Sequence, residues 1–201
     1  MQIYIVRHGE TENNKDKRLQ GWLDAQLNER GRELARLTGI GLKGVRFDAA
    51  FSSPLKRAYE TAELILQYSN NHTDLSPDDR LKEINVGNWQ GKSMRPEDGE
   101  VPEEEMNRFF HNTASFSGFP NGETIVQLCT RTQEFLKELV GKEYQTVLVA
   151  THATALRAML RFLYENQDNF WQGKPPLNCA VSIVESRQGC LRLVERDRIF
   201  Y

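Results

Sequence analysis

Short apolar segments that alternate with amphipathic ones are the feature that most constrains this chain. Five segments have the length and composition of β-strands: residues 3–6 (IYIV), 48–53 (DAAFSS), 146–151 (TVLVAT), 180–185 (AVSIVE) and 191–195 (LRLVE). Helices are predicted between them, over residues 28–43, 54–66, 123–140 and 155–164. Such alternation is typical of α/β proteins. It predicts a three-layer α/β sandwich in which helices flank a mostly parallel central sheet.

Two of the predicted helices have N-terminal signals. Asn28 can cap the first, and Ser53 followed by Pro54 predicts that the second begins there, with serine as cap and proline at the first helical position. Arg57 then falls in the first turn, where the helix dipole disfavours a cation by roughly a few tenths of a kcal/mol. Considered alone, Arg57 is better explained as a solvated side chain. A bound anion at this helix end would also remove the conflict.

Residues 93–122 differ from their surroundings because they are rich in proline, glycine and acidic residues. One short helix is predicted within them, around residues 102–111. We interpret the segment as a small lid insertion in a single domain over residues 1–201. The alternative, a surface loop without a role, stays open.

The composition excludes several classes of protein. With 39% hydrophobic residues, 27% charged residues and a formal net charge of -2, the chain has no general basic field for nucleic acid or anionic lipid. Its three cysteines, Cys129, Cys179 and Cys190, include no CxxC pair and argue against a disulfide framework. We see neither a signal peptide nor an apolar run of about 20 residues. The sequence therefore predicts a cytoplasmic protein without a nucleic-acid or membrane partner, and it leaves the oligomeric state open.

Polar residues of a particular kind follow three of the apolar strands. The first strand ends at Arg7 and His8, the second at Ser53 and leads to Arg57, and a later one ends at His152. Ligands of parallel α/β sheets bind at the carboxyl ends of the strands, so we expect these side chains to share one crevice. Guanidinium groups fork onto phosphate oxygens, and a neutral imidazole can attack phosphorus. Together they indicate a phosphoryl-binding site.

The other two histidines lie in polar, loop-like sequence: His72 and His111. A lone histidine is more often a surface or structural residue than a catalyst, and we interpret both in that way.

Five motifs occur in the order found in the histidine phosphatase superfamily: RHGETENN, QGWLDAQLNERG, SSPLKRAYETA, LKEINVGNWQG and ATHATALRAML. The chain resembles this family, which includes cofactor-dependent phosphoglycerate mutases and many small-molecule phosphatases, over almost its whole length. The resemblance implies that His8 is the nucleophile, with Arg7, Arg57 and His152 around the phosphate. It also implies that Asn14 donates a hydrogen bond to the phosphate and that Glu83 protonates the leaving oxygen. Gln20 and Thr11 are expected to line the site.

The chain departs from the family pattern at two positions. Ala153 stands where glycine commonly follows the second histidine, and alanine excludes positive backbone angles. Gln90 stands where the phosphatase branch often has glutamate. A different motif, GNWQGKS (87–93), is one residue short of a P-loop and follows no strong strand, so we interpret it as a turn.

The resulting hypothesis is a phosphomonoesterase that hydrolyses small phosphorylated metabolites through a phosphohistidine, without metal or other cofactor. LKEINVGNWQG resembles the phosphatase branch. The alternatives are a cofactor-dependent phosphoglycerate mutase and a catalytically inactive module that binds a phosphorylated ligand. An inactive relative is expected to lack part of the set formed by His8, Glu83 and His152, and all three are present.

Overall fold

The computed structural model describes all 201 residues, Met1–Tyr201. At its centre lies one sheet of six strands: β1 (Gln2–Arg7), β2 (Ala49–Ser52), β3 (Leu75–Pro77), β4 (Thr146–Thr151), β5 (Val181–Arg187) and β6 (Cys190–Arg198). The strand order is β3-β2-β4-β1-β5-β6. The first four strands are parallel, whereas β5 pairs antiparallel with β1 and β6 pairs antiparallel with β5. The predicted mostly parallel α/β sheet is confirmed.

Helices cover both faces of the sheet: α1 (Glu12–Lys15), α2 (Glu29–Gly41), α3 (Lys56–Tyr68), α4 (Glu103–His111), α5 (Ile125–Val140) and α6 (Ala153–Leu160). Successive residues of a strand point to opposite faces. Ile5 of β1 therefore packs with Leu136 of α5 and Leu156 of α6. Val6, the next residue, packs with Ile65 of α3 on the other face, and α2 packs against α3. No helix has the length and apolar composition that crossing a bilayer requires.

The two predicted helix starts have different outcomes. The Asn28 side chain caps α2, because its Oδ1 accepts the Gly31 N–H at 2.8 Å, as predicted. The predicted start at Ser53 and Pro54 is wrong, since α3 begins two residues later, at Lys56, with Leu55 as a cap residue that offers no side-chain bond. The Ser53 hydroxyl oxygen accepts the Leu55 N–H at 3.3 Å and also lies 2.8 Å from a ring nitrogen of His152. The hydroxyl therefore keeps a local bond before α3 and adds a tertiary partner that the sequence did not predict.

Two other elements differ from the sequence prediction. The helix predicted over residues 155–164 continues as a 3-10 turn, Arg161–Leu163, after α6 ends. Strand β3 was not predicted, because a three-residue run with proline has no alternating pattern; at the edge of the sheet, proline costs no ladder bond. The motif at 87–93 contains a 3-10 turn, Gly87–Trp89, so its interpretation as a turn is confirmed.

The segment 93–122 packs on the remainder of the molecule through an apolar cluster of its own. Met106 and Phe109 of α4, the one α-helix predicted there, join Leu128 of α5 and Ala158 of α6 in this cluster. Seven aromatic ring pairs involve the Phe109 ring or the other phenylalanine rings of the segment, with centroids 4.9–5.4 Å apart. The segment is therefore a packed layer above α5 and α6 rather than a loose surface loop.

Candidate active site

His8 lies at the carboxyl end of β1, where its backbone N–H donates to the Thr151 carbonyl of β4 at 2.9 Å. Its ring is buried, and Nδ1 lies 2.6 Å from the Gly9 carbonyl oxygen. Because a carbonyl oxygen only accepts, this bond assigns the proton to Nδ1 and leaves a lone pair on Nε2. Position 9 requires glycine, because a Cβ there would lie 2.5 Å from the Gly31 carbonyl oxygen.

Two arginines stand beside this imidazole, and both are held by main-chain carbonyls. Arg7 donates from Nη1 to the Pro176 oxygen at 2.5 Å. Arg57, fully buried at the start of α3, donates to the Leu23 oxygen at 2.6 Å and the Gly21 oxygen at 2.8 Å. The Nε atoms of both arginines are buried and make no hydrogen bond within the protein. The site therefore presents two oriented guanidinium groups with unused donors.

His152 lies beneath His8, with ring centroids 5.1 Å apart and planes inclined at 59°. Its Nε2 lies 2.8 Å from the Ser53 hydroxyl, and its buried Nδ1 makes no hydrogen bond within the protein. Three nitrogens of this one region, two on guanidinium groups and one on an imidazole, thus lack partners. Buried nitrogens without partners are uncommon in folded proteins, and their concentration here is typical of a site that takes an anion.

Burial and positive charge set the protonation of the imidazoles. Desolvation, followed by the charges of Arg57 and Arg7, holds the pKa of His8 well below its usual value. Desolvation, then Arg57 and His8, lowers the pKa of His152 in the same direction. Burial also lowers the pKa of Arg57 to about 10, which still leaves it charged at neutral pH. The site at neutral pH therefore combines neutral imidazoles with charged guanidinium groups.

The Glu83 carboxylate lies at the N-terminus of α6. It accepts backbone N–H groups from Ile84 at 2.9 Å, Ala155 at 3.1 Å and Thr154 at 3.2 Å. The Glu83 carbonyl oxygen accepts from Arg131 Nη2 at 2.8 Å. Sequence reasoning missed Arg131, because the carbonyl oxygens that it reaches lie 48 or more positions away along the chain.

Amide side chains form a second group at the cavity. The Asn14 Oδ1 accepts from the Thr11 N–H at 3.2 Å and from Asn178 Nδ2 at 3.3 Å, whereas the Asn14 NH₂ makes no hydrogen bond within the protein. Thr11 donates its hydroxyl to Gln20 Oε1 at 3.0 Å. Asn178 also donates to the His8 carbonyl at 3.0 Å. Asn178 carried no sequence signal, since asparagine in a loop is ordinary.

These groups surround one cavity of about 320 Å³. Six of the residues predicted from the sequence line it: Arg7, His8, Asn14, Gln20, Arg57 and Glu83. His152 lies just below the lining, against His8, and Thr11 is buried behind Gln20. The exposed Gln90 lies outside, where its Oε1 accepts the Trp22 N–H at 2.9 Å.

Alanine is accommodated at the first departure from the family pattern. Ala153 is the first residue of α6, has no positive φ and lines the cavity. The backbone there is helical, so no glycine is required. No group of three or more histidine, cysteine, aspartate or glutamate side chains is arranged to hold a metal ion.

Comparison with known proteins identifies the family of the chain. The family model of the histidine phosphatase superfamily (branch 1) matches residues 3–197. Phosphoserine phosphatase 1 of Hydrogenobacter thermophilus is 34% identical over 173 residues, which cover 85% of this chain and 80% of that protein. The 2,3-bisphosphoglycerate-dependent phosphoglycerate mutase of Cytophaga hutchinsonii is 29% identical over 164 residues, 80% of this chain and 76% of that protein.

The fold agrees equally well with a solved structure. Bacillus stearothermophilus YhfR superposes with a TM-score of 0.90 at 28% identity, covering 98% of this chain and 97% of that one. Sequence motifs, sheet topology and the family match over residues 3–197 lead to one conclusion. The chain belongs to the histidine phosphatase superfamily, branch 1.

Proposed function

We propose that this protein is a phosphomonoesterase that hydrolyses small phosphorylated metabolites through a phosphohistidine at His8, without a metal ion. The observation that carries the proposal is the state of His8. Its Nδ1 is bonded to the Gly9 carbonyl, its pKa is lowered by burial and by two arginines, and its Nε2 keeps a lone pair beside a polar cavity. A neutral imidazole of this kind is a nucleophile toward phosphorus.

In the first proposed step, His8 Nε2 forms a bond to phosphorus while the bond from phosphorus to the alcohol oxygen breaks. Glu83 gives its proton to that oxygen, and the alcohol leaves. In the second step, a water molecule gives a proton to Glu83. The oxygen of that water forms a bond to phosphorus as the bond from phosphorus to His8 Nε2 breaks. Phosphate is released, and His8 and Glu83 return to their starting states.

Charge stabilisation is assigned to groups of this chain. Arg7 and Arg57 have unused Nε donors, and guanidinium groups can supply the positive charge that phosphoryl oxygens need. A Ser53 hydroxyl that donates to His152 Nε2 places the proton of that ring on Nδ1, which has no partner within the protein. His152 and the Asn14 NH₂ would then donate to the same phosphoryl group.

A mutase would perform the first step and then return the phosphoryl group to a phosphoglycerate. Several relatives carry mutase names, so the two activities must be separated by assay. Hydrolysis is favoured because the first relative named above is a phosphatase and because the motif LKEINVGNWQG resembles the phosphatase branch.

The test is to measure phosphate release from 4-nitrophenyl phosphate with and without excess EDTA, and to find the label after a rapid neutral quench by phosphopeptide mass spectrometry. We expect turnover to survive EDTA and the label to lie on His8. His8→Ala should abolish both. His152→Ala should lower the rate about 10²–10³-fold and still permit labelling, because the nucleophile remains.

The control is His111→Ala, which removes an exposed imidazole outside the cavity and should change nothing. A label on another residue in an active His8→Ala variant would overturn the mechanism. Inactivation by EDTA with rescue by Mg²⁺ would overturn metal independence. Efficient interconversion of 3- and 2-phosphoglycerate with little free phosphate would favour the mutase.

A further inference from the structure

The part of the cavity away from the phosphate-binding groups, which we call the apolar wall, differs in character from the part that holds them. Away from Arg7, His8 and Arg57, its lining includes six apolar side chains that come from five separate parts of the chain: Leu19, Ile84, Val86, Met94, Phe110 and Trp171. Phosphate itself needs none of these groups. They face whatever the phosphoryl group is attached to.

The aromatic part of this wall is fixed in place. The Trp171 ring packs on Phe109 and Phe110 with centroids 5.4 and 5.3 Å away. The Trp171 indole N–H donates to the Phe109 carbonyl at 2.9 Å, so the only polar atom of its side chain is already bonded within the wall. Trp171 of loop 165–178 is thereby held against α4, and its ring offers no free polar atom to the cavity.

The charged groups that line the same region have partners. Arg18 Nη1 donates to the Gly91 oxygen at 2.7 Å and pairs with Glu100 at 3.3 Å. Glu10 Oε1 accepts from Asn28 Nδ2 at 2.9 Å. With Glu10 lining the cavity, a second anionic group on a ligand would meet a carboxylate and, in Arg18, a cation that is already paired.

From the wall and these charges we infer that the preferred substrate is the monophosphate ester of an apolar alcohol of aromatic size, without a second phosphate or a carboxylate. This inference rests on the proposed function, because it identifies the alcohol that leaves from the same site. A cavity of about 320 Å³ is at the small end of the range for ligand sites, which agrees with one ring rather than an extended chain.

The experiment compares four esters that all release a primary alkoxide: 2-phenylethyl phosphate, ethyl phosphate, glycerol 3-phosphate and 3-phosphoglycerate. The similar leaving groups make kcat/KM report the contacts of the alcohol rather than its acidity. We expect kcat/KM for 2-phenylethyl phosphate to exceed that for ethyl phosphate by roughly tenfold or more, as burial of a phenyl group implies. Glycerol 3-phosphate and 3-phosphoglycerate should not exceed ethyl phosphate.

Variants of the apolar wall test whether it causes the preference for 2-phenylethyl phosphate over ethyl phosphate. Phe110→Ala should reduce the ratio of the phenylethyl to the ethyl value severalfold, and Phe110→Leu should reduce it less. The matched control is Phe162→Ala, a phenylalanine that is 42% exposed and does not line the cavity. The inhibition constant for inorganic phosphate, measured on each variant, shows whether the phosphate centre is still folded.

The outcomes separate the two proposals. Hydrolysis of all four esters at similar kcat/KM, or a ratio that Phe110→Ala leaves unchanged while phosphate still inhibits, would overturn the substrate class alone. Absence of hydrolysis together with absence of a His8 label would overturn the proposed function and the substrate class with it.

Discussion

At the scale of single residues, the Glu83 carboxylate is fixed at the edge of the cavity by backbone hydrogen bonds. Three N–H groups, from Ile84, Thr154 and Ala155, fix both of its oxygens at the start of α6. Glutamine in its place would have similar size, and its one amide oxygen could still accept from Ile84 and Ala155, but its NH₂ could neither accept the Thr154 N–H nor act as an acid. The proposed role as general acid can therefore be tested without emptying the site.

We expect Glu83→Gln to lower kcat on ethyl phosphate by roughly 10²–10⁴-fold, since an alkoxide needs a proton as it leaves. The loss on 4-nitrophenyl phosphate should be much smaller, because nitrophenolate departs with little help. Steady-state kinetics on both esters measure the difference. Glu143→Gln, an exposed site, is the control. Equal losses on the two esters would indicate that Glu83 binds or supports structure instead.

At the scale of elements, one arginine of α5 organises the segment that carries Glu83. Arg131 donates to the carbonyl oxygens of Arg80, Lys82 and Glu83 at 2.7–2.8 Å. It also forms an ion pair with Glu123, whose Oε2 accepts the Asn85 N–H at 2.8 Å. Apart from a 3-10 turn over Asp79–Leu81, residues 80–85 have no regular structure, so the hydrogen bonds from α5 hold this segment in place.

Arg131→Lys should lower the free energy of unfolding by about 1.5–3 kcal/mol, the usual contribution of hydrogen bonds to a charged group. Lysine cannot reach three carbonyls at once. Because Glu83 would shift, kcat on ethyl phosphate should fall more than kcat on 4-nitrophenyl phosphate. Urea unfolding and kinetics on both esters test this.

The control for Arg131 is Arg36→Lys, which alters an i,i+3 pair with Glu33 on the surface of α2 and should cost no more than a few tenths of a kcal/mol. An unchanged ratio of the two kcat values in Arg131→Lys would mean that the arginine supports the fold without positioning Glu83.

The stability of the whole molecule depends on the two buried histidines. The pKa values of His8 and His152 are lowered in the folded state, by burial first and then by positive neighbours. In the unfolded chain both titrate near pH 6.5. Below that pH the unfolded state binds protons that the folded state does not, so these groups make the protein less stable as the pH falls and contribute no such loss above it.

We expect the free energy of unfolding to decrease between about pH 6.5 and 5 by up to about 1.4 kcal/mol per pH unit for each histidine. His8→Gln and His152→Gln should each flatten this dependence, whereas His72→Gln, at an exposed position, should leave it unchanged. Urea unfolding at pH 7.5, 6.0 and 5.0 measures the slopes. Identical slopes in the wild type and all three variants would show that the two buried imidazoles do not control the pH dependence of the free energy of unfolding.

Features recorded in local sequence could be predicted, because their physical causes lie within a few residues of one another. Apolar runs and helical spacing predicted five of the six strands, and Asn28 predicted its own capping bond. The RHGE motif after a buried strand led to His8 and to the family. The three-residue strand β3 was missed, because it exists only through pairing with β2.

Features made of distant partners were decided by the tertiary structure alone. Ser53 was predicted as a helix cap, and its hydroxyl also bonds a histidine 99 positions away. Arg131 and Asn178 looked like ordinary polar residues, and their importance lies in which carbonyls they reach. The apolar wall joins residues from several segments. A side chain with one hydroxyl or one guanidinium group bonds whichever partner folding brings nearest, and the sequence around it does not contain that partner.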